Sequence, residues 1–243
     1  MTSSWLSHQR YPLLLLAIFL GIAAALAIGP YDRSDWLLEN ALTVLGLALL
    51  IATHRALPLS RVSYTLIFLF LCLHSVGAHY TYAKVPYDSW FESLFGQSLS
   101  SLTGWKRNHF DRLVHLLYGL LLAYPVREVF LRVAEVRGFW GYYLPLDVTM
   151  ATSMLYELIE WGAAELFGGE LGVAYLGSQG DVWDAQKDMV LAMLGGVAAM
   201  LVTGLINWRY QRDFARDWAE SLRVKRALPL GEDAIVRMLK QKS

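Results

Sequence analysis

Residues 62–82 read VSYTLIFLFLCLHSVGAHYTY, a run without aspartate, glutamate, lysine or arginine and with two histidines toward its end. Crossing roughly 30 Å of hydrocarbon takes about 20 residues of helix, so this stretch is long enough to span a bilayer. It has no polar face to turn to water, as a surface helix of a soluble domain would. Comparable stretches recur on both sides of it, near residues 11–28, 36–53, 112–133, 142–167 and 185–207. The sequence therefore predicts an all-α fold, a polytopic transmembrane helix bundle of about six spans over residues 1–208 with a basic tail over residues 209–243. The first span, with Arg10 ahead of it and Ala25-Leu26-Ala27 near its end, shares features with a secretory signal. Its apolar run is longer than the roughly 7–15 residues of a signal, and further spans follow at once, so it reads as an uncleaved helix.

Composition agrees. Hydrophobic residues make up 56 % of the 243, above the roughly 45–50 % of a soluble domain. Lysine and arginine total 21, as do aspartate and glutamate, so net charge decides nothing and placement decides topology. With a cytoplasmic amino terminus, only Arg33, Lys84, Lys106, Arg107, Arg112 and Lys187 fall toward the outer side. The remainder, including the tail residues Arg226 and Lys242, fall inside, so both termini are expected in the cytoplasm. In the tail, Trp208, Phe214, Trp218 and Leu222 interleave with Arg209, Arg212, Arg216 and Arg223, the pattern of an interfacial amphipathic helix on anionic lipid. The stripe is short and fused to a span, which argues against a nucleic-acid partner. Between the third and fourth spans, Phe91, Leu94, Phe95, Leu99 and Leu102 recur at helical spacing between Trp90 and Trp105, suited to the outer interface. Cys72 is the only cysteine, which excludes an intramolecular disulfide and reads as packing.

Ionisable groups within spans are costly and usually mark a site or a pairing network. Here they gather at one end. His74 and His79 come late in the third span, Asp111, Arg112 and His115 open the fourth, Glu157 and Glu160 come late in the fifth, and Asp181, Asp184 and Asp188 open the sixth. With the topology above, all face the outer leaflet. Asp111 and His115 are four apart, Glu157 and Glu160 three, Asp184 and Asp188 four, so each pair shares a helix face. His74 and His79, five apart, are about 140° apart around a regular helix, so only one of them is expected at the cluster. Asp181 is also well placed to cap the sixth helix. Gly195 and Gly196 are expected to let a neighbouring helix approach closely.

Four readings fit such a cluster. Imidazole and carboxylate groups from facing helices suit a divalent metal such as Zn, Mn or Fe. Without metal, a carboxylate and a histidine can exchange protons with a lipid-linked substrate. Acid and histidine chains also form transport paths, although here the polar groups keep to one leaflet. Lastly, Arg112 with Asp111, Glu157 or Asp184 can form a structural ion-pair network with no substrate.

The blocks His74-x-x-Gly77-x-His79-Tyr80-x-Tyr82, Arg107-Asn108-His109-Phe110-Asp111-Arg112 with His115, Tyr156-Glu157-x-x-Glu160-Trp161, and Gly180-Asp181-x-Trp183-Asp184-x-Gln186-x-Asp188-Met189 together resemble the YjdF family of bacterial inner-membrane proteins. The resemblance implies location and topology and carries no reaction with it. The order of elements is also similar to VanZ-like membrane proteins: an acid–histidine helix start, a helix with glutamate, and an aspartate-led helix with Gly-Gly. The expectation is an outer-facing pocket in the bacterial cytoplasmic membrane, in contact with membrane lipids and acting on a lipid or envelope-derived substrate. His115, Glu160, Asp184 and Asp188, with one of His74 and His79, are the expected ligands of a divalent ion. Arg112 is expected to anchor an anionic group, and Asp111, Glu157 and Asp181 to orient its surroundings.

Overall fold

The computed structural model describes the backbone of residues 2–225 and 229–241, and side chains from residue 10 onward apart from 170, 171, 174, 230 and 233. Arg226 and Lys242 lie outside the described residues. Eleven helices run in order among the described residues, with no strand: α1 (Thr2–Leu26), α2 (Arg33–Thr53), α3 (Arg61–His79), α4 (Tyr87–Phe95), α5 (Leu99–Thr103), α6 (Phe110–Val133), α7 (Trp140–Phe167), α8 (Gly169–Leu176), α9 (Asp184–Tyr210), α10 (Phe214–Ser221) and α11 (Leu230–Lys240). Four of them, α2, α3, α6 and α9, are long and apolar enough to cross a bilayer. The apolar part of α1, Arg10–Leu26, is shorter. Helix α7 has the length, but Asp147, Glu157, Glu160 and Glu165 interrupt its apolar surface. The chain is thus an all-helical, multi-pass membrane protein.

The centre of the bundle is the pairing of α6 with α9, and small residues set its closeness. A methyl group at Gly119 would strike the backbone oxygen of Ala192 and lie 2.6 Å from the Gly196 nitrogen. One at Gly195 would strike the Leu116 oxygen and lie 2.8 Å from the Leu120 nitrogen. Backbone on backbone is how membrane helices gain dispersion contact, since lipid tails are as apolar as leucine. The glycines singled out in the sequence therefore do allow the close approach expected of them. Helices α3 and α7 flank this pair, α1 packs on α3, and α2 joins the edge through α3 and α8.

Helix ends fix the register. The Asp32 side chain caps α2, accepting from the Ser34 and Asp35 nitrogens at 2.8 and 3.0 Å. At the start of α3, Glu128 of α6 accepts from the Ser60 nitrogen at 2.8 Å and the Ser63 hydroxyl at 2.5 Å. That places a carboxylate on the positive end of a helix dipole and ties two spans together at the end remote from the acid cluster.

Helix α3 stops at His79, three residues short of the run that opened the sequence reading. Thr81 and Tyr82 take left-handed conformations, with φ of 50° and 47°. The chain folds back, and the Tyr82 nitrogen donates to the Gly77 oxygen at 2.8 Å. The interfacial segment between α3 and α6 forms two short helices, α4 and α5. They leave Trp90, Leu94, Phe95, Leu102 and Trp105 exposed, as a surface lying against lipid would. In the tail, Phe214 and Trp218 turn toward the protein and not outward: the Trp218 ring lies 5.5 Å from that of Phe139 and 5.7 Å from that of Tyr142. Ser221 secures this contact, its hydroxyl accepting from the Phe139 nitrogen at 2.9 Å.

Candidate functional site

Helices α2, α6 and α9 begin, and α3 and α7 end, on the same side of the bundle, which brings the polar ends of these five helices together. Their side chains sort into three neighbouring groups.

The first is Asp111 and His115 of α6 with Asp188 of α9, whose ligand-capable atoms all lie within 4.8 Å of one another. The Nε2 atom of His115 is 3.5 Å from an Asp111 oxygen and 3.5 Å from Oε1 of Glu157 on α7. Asp188 is 2 % exposed, and its Oδ1 has no hydrogen-bond partner; Glu157 Oε1 is likewise buried and unpaired. Two carboxylate oxygens buried without a hydrogen bond in a membrane interior are costly when charged, and a proton or a shared cation relieves that cost. Donor atoms around one tetrahedral ion at about 2.1 Å are about 3.4 Å apart; Asp111 and His115 stand 3.5 Å apart, and Asp188 lies within 4.8 Å of both.

The second group is a rim of ion pairs. Arg107 holds Asp184 with both guanidinium ends, at 2.6 and 3.1 Å, and Arg112 bridges Asp181 at 2.6 Å and Asp184 at 3.1 Å. Lys187 adds a contact to Asp181 at 2.5 Å. The Lys187 ammonium, the Trp183 backbone N–H and Arg112 hold the Asp181 carboxyl well below the usual carboxylate range. A depressed carboxyl contributes stability that is lost only as pH falls through its folded value, so this rim persists through mildly acidic conditions. Asp184 was expected among the metal ligands, but its oxygens are taken by arginine, so the structure sets it apart from the first group. The sequence marks Arg107 as an outer-side basic residue and as part of a block, and gives it no site role. Replacing Arg107 by alanine should cost about 2 kcal/mol, because Asp184 keeps Arg112 while losing a two-pronged charged hydrogen bond. Thermal unfolding in detergent reads this, and an unchanged midpoint would show that the bridge contributes nothing.

The third group centres on α2, where the sequence reading placed no site residue. Asp35 is 1 % and Glu39 5 % exposed, and neither oxygen of Asp35 has a partner. Tyr156 donates to Glu39 Oε2 at 3.1 Å, joining α7 to α2. His74 belongs here and not with the first group. Its Nε2 donates to the Glu39 carbonyl at 3.1 Å, and its Nδ1 accepts from the Tyr82 hydroxyl, so both ring nitrogens are engaged. His79 Nδ1 donates to the Leu26 carbonyl at 2.7 Å and fastens α3 to the end of α1. Neither histidine of the pair thus lies with Asp111, His115 and Asp188. Glu160 is buried beside Tyr156 and Glu157, between the first and third groups. An i, i+4 acid pair at the start of the second span was the available signal for Asp35 and Glu39. Tyr82 could not be found that way, since it arrives through the left-handed turn.

That turn depends on Gly77. A Cβ there would lie 2.6 Å from the Tyr82 ring. Gly77→Ala is therefore expected to displace Tyr82 from His74 and destabilise by about 2 kcal/mol. The same change in a Tyr82→Leu background should cost much less. Equal costs in the two backgrounds, read by thermal unfolding, would exclude the contact.

A cavity of about 550 Å³ lies between α2, α3, α6 and α7. Its polar end carries His74, Tyr82, Asp111, His115 and Tyr156, and the remainder of its wall is predominantly aliphatic and aromatic.

Comparison with known proteins agrees with the membrane architecture. The chain is 38 % identical over 210 residues, 86 % of its length and 93 % of the relative's, to the inner membrane protein YjdF of Escherichia coli (strain K12). No solved structure matches it. Residues 11–209, which hold all three polar groups, match the family model described as "Predicted membrane protein (DUF2238)", and the chain belongs to that family.

Proposed function

We propose that Asp111, His115 and Asp188 bind a divalent metal ion at the outer face of the bacterial inner membrane, with Glu157 beside them, and that the site acts on a lipid or envelope-derived substrate. The observation that carries this is the buried Asp188 oxygen left without a partner in a group of three possible ligand atoms within 4.8 Å of one another. Imidazole and carboxylate together suit Zn, Mn or Fe. Such an ion would polarise a bound oxygen or lower the pKa of a water. Glu157, 3.5 Å from His115, is then placed to take a proton. The narrower ligand set follows from the geometry: Asp184 is neutralised by two arginines, His74 and His79 are spent on other partners, and Glu160 lies one turn beyond Glu157. Arg112 keeps its expected task of meeting an anionic group through Nε, which is buried and unpaired.

The orientation belongs to the same proposal. Six crossings, α1 and α7 included, with both termini in the cytoplasm, are supported by the distribution of lysine and arginine. The inner membrane is supported by the name of the Escherichia coli relative. The test is elemental analysis of detergent-purified full-length protein grown with Zn, Mn and Fe. About one equivalent of one metal is expected; none under any of the three supplies would end the reading.

The rim supports a second, structural role for part of the cluster. Arg107, Arg112, Lys187, Asp181 and Asp184 pair with one another and fix the start of α9 against the loop before α6 and the first turn of α6. A network of that kind sets register without needing a substrate.

A further inference from the structure

We infer that the cavity between α2, α3, α6 and α7 receives an acyl chain of a membrane phospholipid, which enters sideways from the bilayer with its phosphate at the Asp111–His115–Asp188 group. The phosphate end of this inference rests on the metal reading above, whereas the chain end stands on the shape of the cavity.

Three features of the cavity argue for a chain. Its chemistry is graded: titratable and hydroxyl groups lie at one end, and Leu47, Leu50, Ile67, Leu71, Leu122 and Val126 line the rest. An amphiphile matches both parts at once, while water would find few partners along the apolar wall. Its side is open toward lipid. Leu42, Leu49, Leu155 and Ile159 on the rim are 39, 63, 53 and 38 % exposed. Helix α2 packs on α3 and α8, and its hydrogen bond to α7 is the one from Tyr156 to Glu39 at the polar end. Below that bond the two helices part.

The third feature is reach. A second cavity of about 300 Å³ between α1, α2 and α3 shares Leu47, Leu50, Ile67 and Leu71 with the first and extends to Arg55. From Thr43 to Thr53, where α2 ends two residues before Arg55, the wall rises about 15 Å at ~1.5 Å per residue. That is about half of the ~30 Å hydrocarbon core, the depth of one leaflet's acyl chain. Gly46 stands midway along this wall. A side chain built there meets nothing within 4 Å, so no backbone contact requires a glycine, and the space beside it belongs to the cavity.

The phosphate follows from the polar end. A divalent ion held by two carboxylates and an imidazole takes further oxygen ligands, and phosphate is the anionic oxygen donor that a bilayer supplies in quantity. The unpaired Nε of Arg112 offers a donor nearby.

The test uses full-length protein in vesicles of phosphatidylethanolamine and phosphatidylglycerol, a fraction of the latter carrying a diazirine midway along one acyl chain. After illumination, labelled positions are mapped by mass spectrometry. Label is expected on cavity residues such as Leu50 and Leu122, and Gly46→Trp should reduce it by about tenfold by filling the slot. Leu122→Trp, which fills the same space from α6, should do likewise. Metal content measured on both variants reports that the polar end remains assembled. Label confined to outward faces such as Leu201 and Leu205 of α9, or cavity label unaltered in both variants, would overturn the inference. Cavity label in a protein that binds no metal would keep the chain site and remove the phosphate–metal contact. Bound metal with no cavity label would overturn the inference and leave the metal reading standing.

Discussion

Exchanging Asp188 for asparagine is expected to lower the affinity for a divalent ion by about 100-fold or more, while making the metal-free protein more stable. Partners that only orient metal ligands are worth about 10- to 100-fold in affinity, and Asp188 is read here as a ligand itself. The stability gain has a separate cause. Its carboxylate is 2 % exposed with one oxygen unpaired, and an isolated buried charge is among the costliest groups in a membrane interior. Asparagine keeps the shape and removes the charge. Opposite signs in the two measurements would mark a group retained for binding at the expense of stability. His115→Ala should also abolish binding. Asp184→Asn should keep it while loosening the rim, because Asp184 lies with Arg107 and Arg112 and not with the metal group. Equal metal loss in Asp184→Asn and Asp188→Asn, by calorimetric titration of chelator-treated protein, would contradict the separation of the two groups.

Gly195→Leu is the second large effect. The new side chain would occupy the place of the Leu116 carbonyl, and α6 and α9 would have to separate along much of their shared length. Overpacking a soluble core costs about 1–3 kcal/mol, and here the obstacle is backbone, which cannot rotate away, so about 3 kcal/mol or more is expected. Because α6 and α9 carry Asp111, His115 and Asp188, parting them should abolish metal binding as well. Gly162→Ala is the control: nothing lies within 4 Å of its Cβ position, and a change within about 0.5 kcal/mol is expected. A Gly195→Leu protein that melts with the wild type would show that the helices do not meet there.

The reach of sequence reasoning differs between fold and site. Residues 62–82 and 185–207 announce membrane helices because hydrocarbon demands long uncharged runs, a one-dimensional property. The expected end of α3 lies three residues too far because the left-handed positions, Thr81 and Tyr82, are a β-branched and an aromatic residue and not the glycines that would mark such backbone. Helix α7 shows the opposite limit. Residues 142–167 read as a span despite four carboxylates, two of which, Glu157 and Glu160, are buried against neighbours and not offered to lipid.

By itself, the sequence determined that this is a helical, multi-pass membrane protein, that a set of acids and histidines from four of its helices gathers toward one end, and that Gly195 and Gly196 lie where a helix approaches. Each of these follows from composition along a line or from a 3.6-residue period. Only the tertiary structure decided which acids share a space: Asp188 with Asp111 and His115, Asp184 with Arg107 and Arg112, and Glu39 with His74 and Tyr156. Residues on one helix face have a fixed spacing, but partners on different helices are chosen by how closely backbones pack and which way each rod is turned. A glycine contact between α6 and α9 therefore sets, at a distance, which carboxylate faces the imidazole.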